Sequence, residues 1–232
     1  MSGADEMDGC VDGRGAGVIG RRAVLLAGAS LAARPARAAP PVPPGGVLAF
    51  RMVRHDSVIG HHALTFERRG EALTVRVAVD ALVTFISIPL ARYRHRLVET
   101  WQDDTLFGLV GETNTNGLRA WINARRTDEG LVVQGSHGPR YVAPEKAIGI
   151  SYWNKRMLEG PMISTDDGEL VQPMVEARGT ESVRLASGAM IAAEHYSLTG
   201  SLEADVWYDR AGTWASLELT VKDGSTVRYE RL

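Results

Sequence analysis

The chain has 232 residues, 44% of them hydrophobic and 23% charged, with 25 glycines and a net charge of −2. That length allows one large β domain or two small ones, and the composition is that of a globular protein. The near-neutral charge excludes the basic excess that nucleic acid or an anionic membrane surface would need, and no apolar run approaches the roughly 20 residues of a bilayer span.

The first segment reads as an address. Arg21 and Arg22 precede a mildly apolar run, residues 23–33, and Ala36-Arg37-Ala38 supplies a small-x-small cleavage site. This is the order of a signal peptide. Gly20-Arg21-Arg22-Ala23-Val24-Leu25-Leu26 resembles the twin-arginine export signal, with an ordinary secretory signal as the alternative. Residues 1–38 are therefore expected to engage export machinery and be removed, residues 39–46 to form a Pro/Gly-rich linker, and residues 47–232 to fold as a single β domain, periplasmic or secreted. Cleavage after Ala38 removes the only cysteine, Cys10, which excludes disulfides, thiolate metal sites and cysteine nucleophiles from the mature chain.

From Gly46 onward, period-2 segments separated by turn residues predict strands over 47–54, 59–68 and 73–88. In the third, Leu73, Val75, Val77 and Val79 share one face. Beyond Asp80 both faces turn apolar through Leu82, Val83, Phe85, Ile86 and Ile88, which predicts cover on both sides until Pro89 ends the strand. Strands 92–102, 106–112 and 118–126 follow, the last two joined by Asn116-Gly117, the strongest short hairpin signal, and 131–136 completes the group. Residues 137–149 are irregular. Residues 151–158 are the one good helix candidate, with Ser151 as N-cap and Gly160-Pro161 as terminator. Strands resume over 170–177, 181–185, 190–198 and 202–208, and a last hairpin, 214–221 with 226–231, turns at Lys222-Asp223-Gly224. About thirteen strands with short connections predict an all-β, mainly antiparallel meander. So many strands must curl or close, into a half-barrel or a barrel with one short helix.

The mature part resembles an exported bacterial family catalogued as domain of unknown function 6134. The residues that carry the resemblance are Ile59-Gly60-His61-His62, Trp101-Gln102-Asp103-Asp104, Thr113-Asn114-Thr115-Asn116-Gly117, Ser151-Tyr152-Trp153, Val206-Trp207-Tyr208-Asp209 with Trp214, and Lys222-Asp223-Gly224-Ser225. The resemblance implies no activity and no catalytic residues. At the level of fold the pattern is also similar to periplasmic half-barrel proteins that carry lipoproteins, whose concave sheets hold acyl chains.

The chemistry-bearing residues divide into four groups. Gly135-Ser136-His137-Gly138 lacks the order of a nucleophile elbow and reads as a polar turn. His55, His61, His62 and His95 fall in the first hairpins, but His61 and His62 are adjacent and so face opposite sides of a strand; no metal site is assigned. Asp103-Asp104 and Asp166-Asp167 sit beside turns, where aspartate bonds its own backbone. Arg92, Arg94 and Arg96 alternate with Tyr93, His95 and Leu97, which makes an arginine ladder suited to an anionic head group, or else a solvated face paired with acids such as Glu112.

Five tryptophans are numerous for this length. Trp121 opposes Ile122 and Ala124, Trp207 opposes Val206, and Trp214 is placed opposite Ala215, Leu217 and Leu219. These Trp-bearing faces are candidates for a ligand surface, with Trp153, Met157 and Leu158 closing one opening of the curled sheet. The expected function is a periplasmic binding or carrier module for an apolar or amphiphilic, lipid-like small molecule. Its candidate binding residues are Arg92, Arg94, Arg96, Trp121, Trp207 and Trp214. No catalytic residue or cofactor is assigned. A β-barrel hydrolase or isomerase and a structural envelope protein are the alternatives.

Overall fold

The computed structural model describes residues 42–85, 88–221 and 223–232, with only the backbone given for residues 84, 85 and 88–90. The expected export signal, linker residues 39–41, Ile86 and Lys222 lie outside the described residues. A short 3-10 turn, Pro44–Gly46, leads into strand β1 (Val47–Arg54). It is followed by β2 (Ser57–Arg69), β3 (Ala72–Phe85), β4 (Ile88–Gln102), β5 (Thr105–Thr115), β6 (Leu118–Thr127), β7 (Gly130–Gly135) and β8 (Tyr141–Ala143). The second half holds β9 (Ile148–Gly149), β10 (Met162–Ile163), β11 (Leu170–Val171), β12 (Met174–Arg184), β13 (Met190–Thr199), β14 (Ala204–Asp209), β15 (Trp214–Thr220) and β16 (Thr226–Arg231).

Thirteen of these strands form one antiparallel sheet in the order β12-β13-β14-β15-β16-β1-β2-β3-β4-β5-β6-β7-β8. The sheet is strongly curved and does not close into a barrel. Neighbours in sequence pair as the short turns dictate; Asn116 (φ 54°) and Gly117 (φ 91°) close the β5–β6 hairpin in the left-handed region that turn requires. The one pairing distant in sequence is β16 with β1, where Tyr229 faces Met52. The chain's two strand groups thus join at the middle of the sheet, and β8 and β12 become its edges.

Inward side chains from both groups enter one core, from Phe50, Leu64, Val75 and Leu97 to Val206 and Leu217. On the opposite face of the second group, Val183, Ala193, Trp207 and Ala215 make a small outer cluster. The stretch between β8 and β12 forms a three-stranded sheet, β11-β10-β9. Its Ile148, Trp153, Met157, Met162 and Ile163 are buried in the main core. This segment packs on the inner face of the large sheet.

Four local expectations are corrected. Residues 151–158 do not make a helix: only Lys155–Glu159 forms a 3-10 turn, and its cap is Asn154, which accepts from the Arg156 N–H at 3.2 Å. Tyr152 takes φ 61° and Asn154 is extended, because Trp153 is drawn into the core, and tertiary packing overrides helix propensity. Pro89 does not end a strand but sits inside β4 opposite Thr84. There β4 has run past β5, whose pairing starts at Tyr93↔Thr115, so the missing N–H forfeits no ladder bond on that side.

Likewise β3 pairs β2 only as far as Ala81↔Gly60. The apolar β3–β4 ribbon projects beyond its sheet neighbours, and Leu82 is 37% exposed. Finally, Trp214 does not oppose Leu217. A bulge between Trp207 and Tyr208 pairs them with Ser216 and Trp214. The extra residue, Ala215, resets the alternation, so Trp214 and Leu217 share the main core while Ala215 joins the outer cluster.

Candidate functional site

The inner side chains of β1–β4, β15 and β16 do not fill the space beneath the inserted segment. They surround, with residues 150–152 and 164–166, a cavity of about 430 Å³. The space is partly open to solvent, and its volume lies in the range of small-molecule sites. Most of the wall is aliphatic: Met52, Ile59, Val77, Val79, Leu219 and Val227 are typical. The polar lining is concentrated in His62, Tyr93, His95, Tyr152, Asp166 and Tyr229.

Strand register places the two histidines. His62 on β2 pairs with Val79 on β3, Val79 with His95 on β4, and His95 with Thr113 on β5. One rung of the sheet therefore carries both imidazoles on its inner face, on backbones about 10 Å apart at two strand spacings. His61, one residue earlier, points outward and is exposed; His55 occupies the exposed β1–β2 turn at φ 47°.

The two imidazoles differ in their partners. Thr113 Oγ1 donates to Asp166 Oδ1 at 2.8 Å, and Tyr93 Oη donates to the same oxygen at 2.7 Å. Having given its only hydrogen away, Thr113 Oγ1 accepts from His95 Nδ1 at 2.8 Å. His95 Nδ1 also lies 3.2 Å from Asp166 Oδ1. This network assigns the hydrogen to Nδ1 and leaves Nε2 the ring's acceptor whenever His95 is neutral.

Burial pushes the Asp166 carboxyl up, but the bonds from His95, Tyr93 and Thr113 outweigh it and hold the group below the usual carboxylate value. The phenols of Tyr93, Tyr152 and Tyr229 are raised by burial, reinforced by the Asp166 charge, and remain hydroxyl donors.

His62 has no such network. Neither ring nitrogen has a hydrogen-bond partner among the described residues, although the residue is buried and ringed by Phe50, Trp214 and Tyr229 in edge contacts. Burial, with His95 adding like-charge repulsion, lowers its pKa to about 3. It is a neutral imidazole on the cavity wall with one donor and one acceptor unused.

Behind the cavity, Glu99 ties the inserted segment to the sheet. The indoles of Trp101 and Trp153 both donate to its Oε2, at 2.8 and 3.0 Å. Burial raises its carboxyl above the usual value, opposed by the bonds from Ser151, Trp101 and Trp153. The 164–168 loop is fixed from the other side by Gly135, where a Cβ would lie 2.0 Å from the Asp167 carbonyl oxygen.

The six residues singled out from sequence lie elsewhere. Arg92, Arg94 and Arg96 are exposed on the outer face. Asp80 gathers Arg94 at 3.1 Å and Arg96 at 2.6 Å, and Arg96 also donates to the Val79 carbonyl at 2.9 Å. Trp121 is outward and 42% exposed. Trp207 belongs to the outer cluster, stacked on His195 at 4.4 Å and donating to Glu181. Trp214 lies in the core, one layer behind the cavity, stacked on Tyr152 at 5.4 Å.

None of these six lines the cavity. Of the other pairs, Asp166 reaches the cavity while Asp104 meets Arg156 at 3.6 Å. Ligand atoms of His137, Asp167 and Glu169 come within 4.8 Å of one another at the surface, with His137 and Glu169 exposed. The parity of His62 and His95 was readable from alternation with apolar neighbours; their convergence on one rung was not.

The profile described as domain of unknown function (DUF6134) matches residues 50–232. The chain belongs to this family. The match begins in β1 and runs through β16, so it covers every strand of the large sheet and the whole cavity wall. No curated protein and no solved structure matches the chain. Among the described residues no helix is long and apolar enough to cross a membrane.

Proposed function

We propose that this DUF6134 domain is an exported binding or carrier module for an apolar or amphiphilic small molecule, and that the cavity beneath the inserted segment is where the molecule sits. The observation that carries the reading is the cavity itself: about 430 Å³ with a wall mainly of aliphatic and tyrosine side chains. That is the size and chemistry of a small-molecule site, an apolar enclosure with a few convergent polar groups. Export by a twin-arginine-type signal and release into the periplasm are part of the same proposal.

The test is native mass spectrometry of the mature domain purified gently from its periplasm, paired with titration by the neutral fluorescent dye N-phenylnaphthylamine. A lipid-like adduct lost on organic extraction, or saturable dye binding, supports the module. A clean apo mass together with no dye binding overturns it.

A hydrolase or isomerase reading has one observation in its favour. His95, held through Nδ1 by Thr113 and beside Asp166, is the arrangement that orients an imidazole as a general base. Turnover of ester or enol substrates that disappears in His95→Gln would support that reading, and its absence across such substrates would leave the binding module alone.

A further inference from the structure

We infer that the bound molecule carries an uncharged hydroxyl head, seated on His62. This deepens the binding reading and rests on it. His62 is on the cavity wall and buried to 5% of its free exposure, yet both ring nitrogens lack partners among the described residues. Buried polar groups in folded proteins are nearly always paired, and each exception calls for an explanation. The same residue lines the cavity, so the partner we assign to it is a group brought by the ligand.

The chemistry of the wall selects that group. A neutral imidazole offers one N–H and one lone pair. A hydroxyl offers the complement, one hydrogen and lone pairs, and a single hydroxyl engages either ring nitrogen without leaving a charge in the cavity. A carboxylate or phosphate only accepts, and the described residues that line the space include no lysine or arginine. Burying an anion without a cation costs far more than one hydrogen bond returns. The arginines that would have met such a head are exposed on the outer face, where Arg94 and Arg96 are tied to Asp80.

An ammonium only donates. Asp166 would attract it, but Oδ1 already receives Tyr93 and Thr113 and lies against His95, and the carboxylate is 45% exposed at its side chain, where water screens it. An alkyl alcohol is therefore the best match: its chain against Val77, Val79, Leu219 and Val227, its oxygen at His62.

The experiment is competition for bound N-phenylnaphthylamine on the mature wild-type domain by three ten-carbon probes that differ only in the head: 1-decanol, decanoate and decylamine. Decanol is expected to displace the dye about tenfold more effectively than either ion, the discrimination worth roughly one well-made hydrogen bond. In His62→Phe, a ring suited to a site already packed by Phe50, Trp214 and Tyr229, decanol is expected to weaken about tenfold while the two ions change less than about twofold.

A second readout needs no variant: decanol should shift the His62 ring ¹⁵N resonances. If decanoate or decylamine competes as well as decanol, or if neither the His62→Phe change nor the resonance shift occurs, the head-group assignment falls and the binding module stands. If the dye itself does not bind, the binding reading falls and takes this inference with it.

Discussion

The indole N–H of Trp153 donates to Glu99 Oε2 across 3.0 Å, joining the inserted segment to the inner face of β4. Both residues are buried, and Trp101 donates to the same oxygen. This bond ties the inserted segment to the sheet behind the cavity, beside the core packing of Trp153 that turns residues 151–158 away from a helix.

Glu99 should make stability pH-dependent. Its carboxyl is raised in the folded state by burial. The protonated form is therefore the one the interior favours: its contribution is full below the ordinary value near 4.5 and is lost as pH rises through the raised folded value. Glu99→Gln keeps an acceptor for the two indoles and cannot ionise. Its melting midpoint relative to wild type is expected to improve between pH 4.5 and pH 8; a difference independent of pH would show that burial is not the dominant cause.

His62 should act in the acid range with the opposite dependence. Its folded pKa is lowered to about 3 from 6.5. Its contribution is present above 6.5 and declines as pH falls toward 3, because the unfolded chain takes up a proton that the folded one refuses. Between pH 6.5 and pH 5 this residue alone should remove about 1–2 kcal/mol. Urea unfolding at the two pH values measures it, and His62→Phe is expected to flatten that part of the profile.

Val79→Phe should separate the cavity from the fold. Val79 stands on the rung between His62 and His95 and lines the cavity. The larger ring enters open space, so the change in stability should stay within about 1–3 kcal/mol, the usual range for overpacking. Dye affinity should drop at least about tenfold. Unchanged affinity in a folded variant would place the dye elsewhere.

The arginine ladder supplies the matching control. A variant with Arg92→Ala, Arg94→Ala and Arg96→Ala alters only outer-face groups, and exposed ion pairs such as those with Asp80 contribute about 0–1 kcal/mol each. Affinity for the dye and for decanol is expected to stay within about twofold. A larger loss would mean that the ladder contacts the bound molecule after all.

Much of this architecture was legible because strand alternation is a local property. The inward set Leu73, Val75, Val77, Val79 is buried along its length, and the Asn116-Gly117 turn falls where its backbone freedom is needed. Parity alone also put Tyr93, His95 and Leu97 opposite the arginines, and that division holds. Where a bulge adds one residue, as at Ala215, parity fails, and with it the placement of Trp214. No composition signals such a bulge, since it is set by the partner strand. The arginines and tryptophans stood out by residue type, whereas the cavity wall is built largely of valines and leucines that look like any core.

By itself the sequence determined the class, an antiparallel sheet of about thirteen strands, and the family to which the chain belongs, because period, turn chemistry and motif are written in neighbouring residues. Only the tertiary structure decided that β16 pairs with β1, which makes two strand groups one sheet and sets which edges are left. It alone decided that the inserted segment covers the inner face and leaves a cavity, and that His62 meets that cavity unpaired. The physical reason is that these features come from residues far apart in the chain, such as Glu99 with Trp153, Tyr93 with Asp166 and Met52 with Tyr229, whose contacts exist only once the sheet has curled.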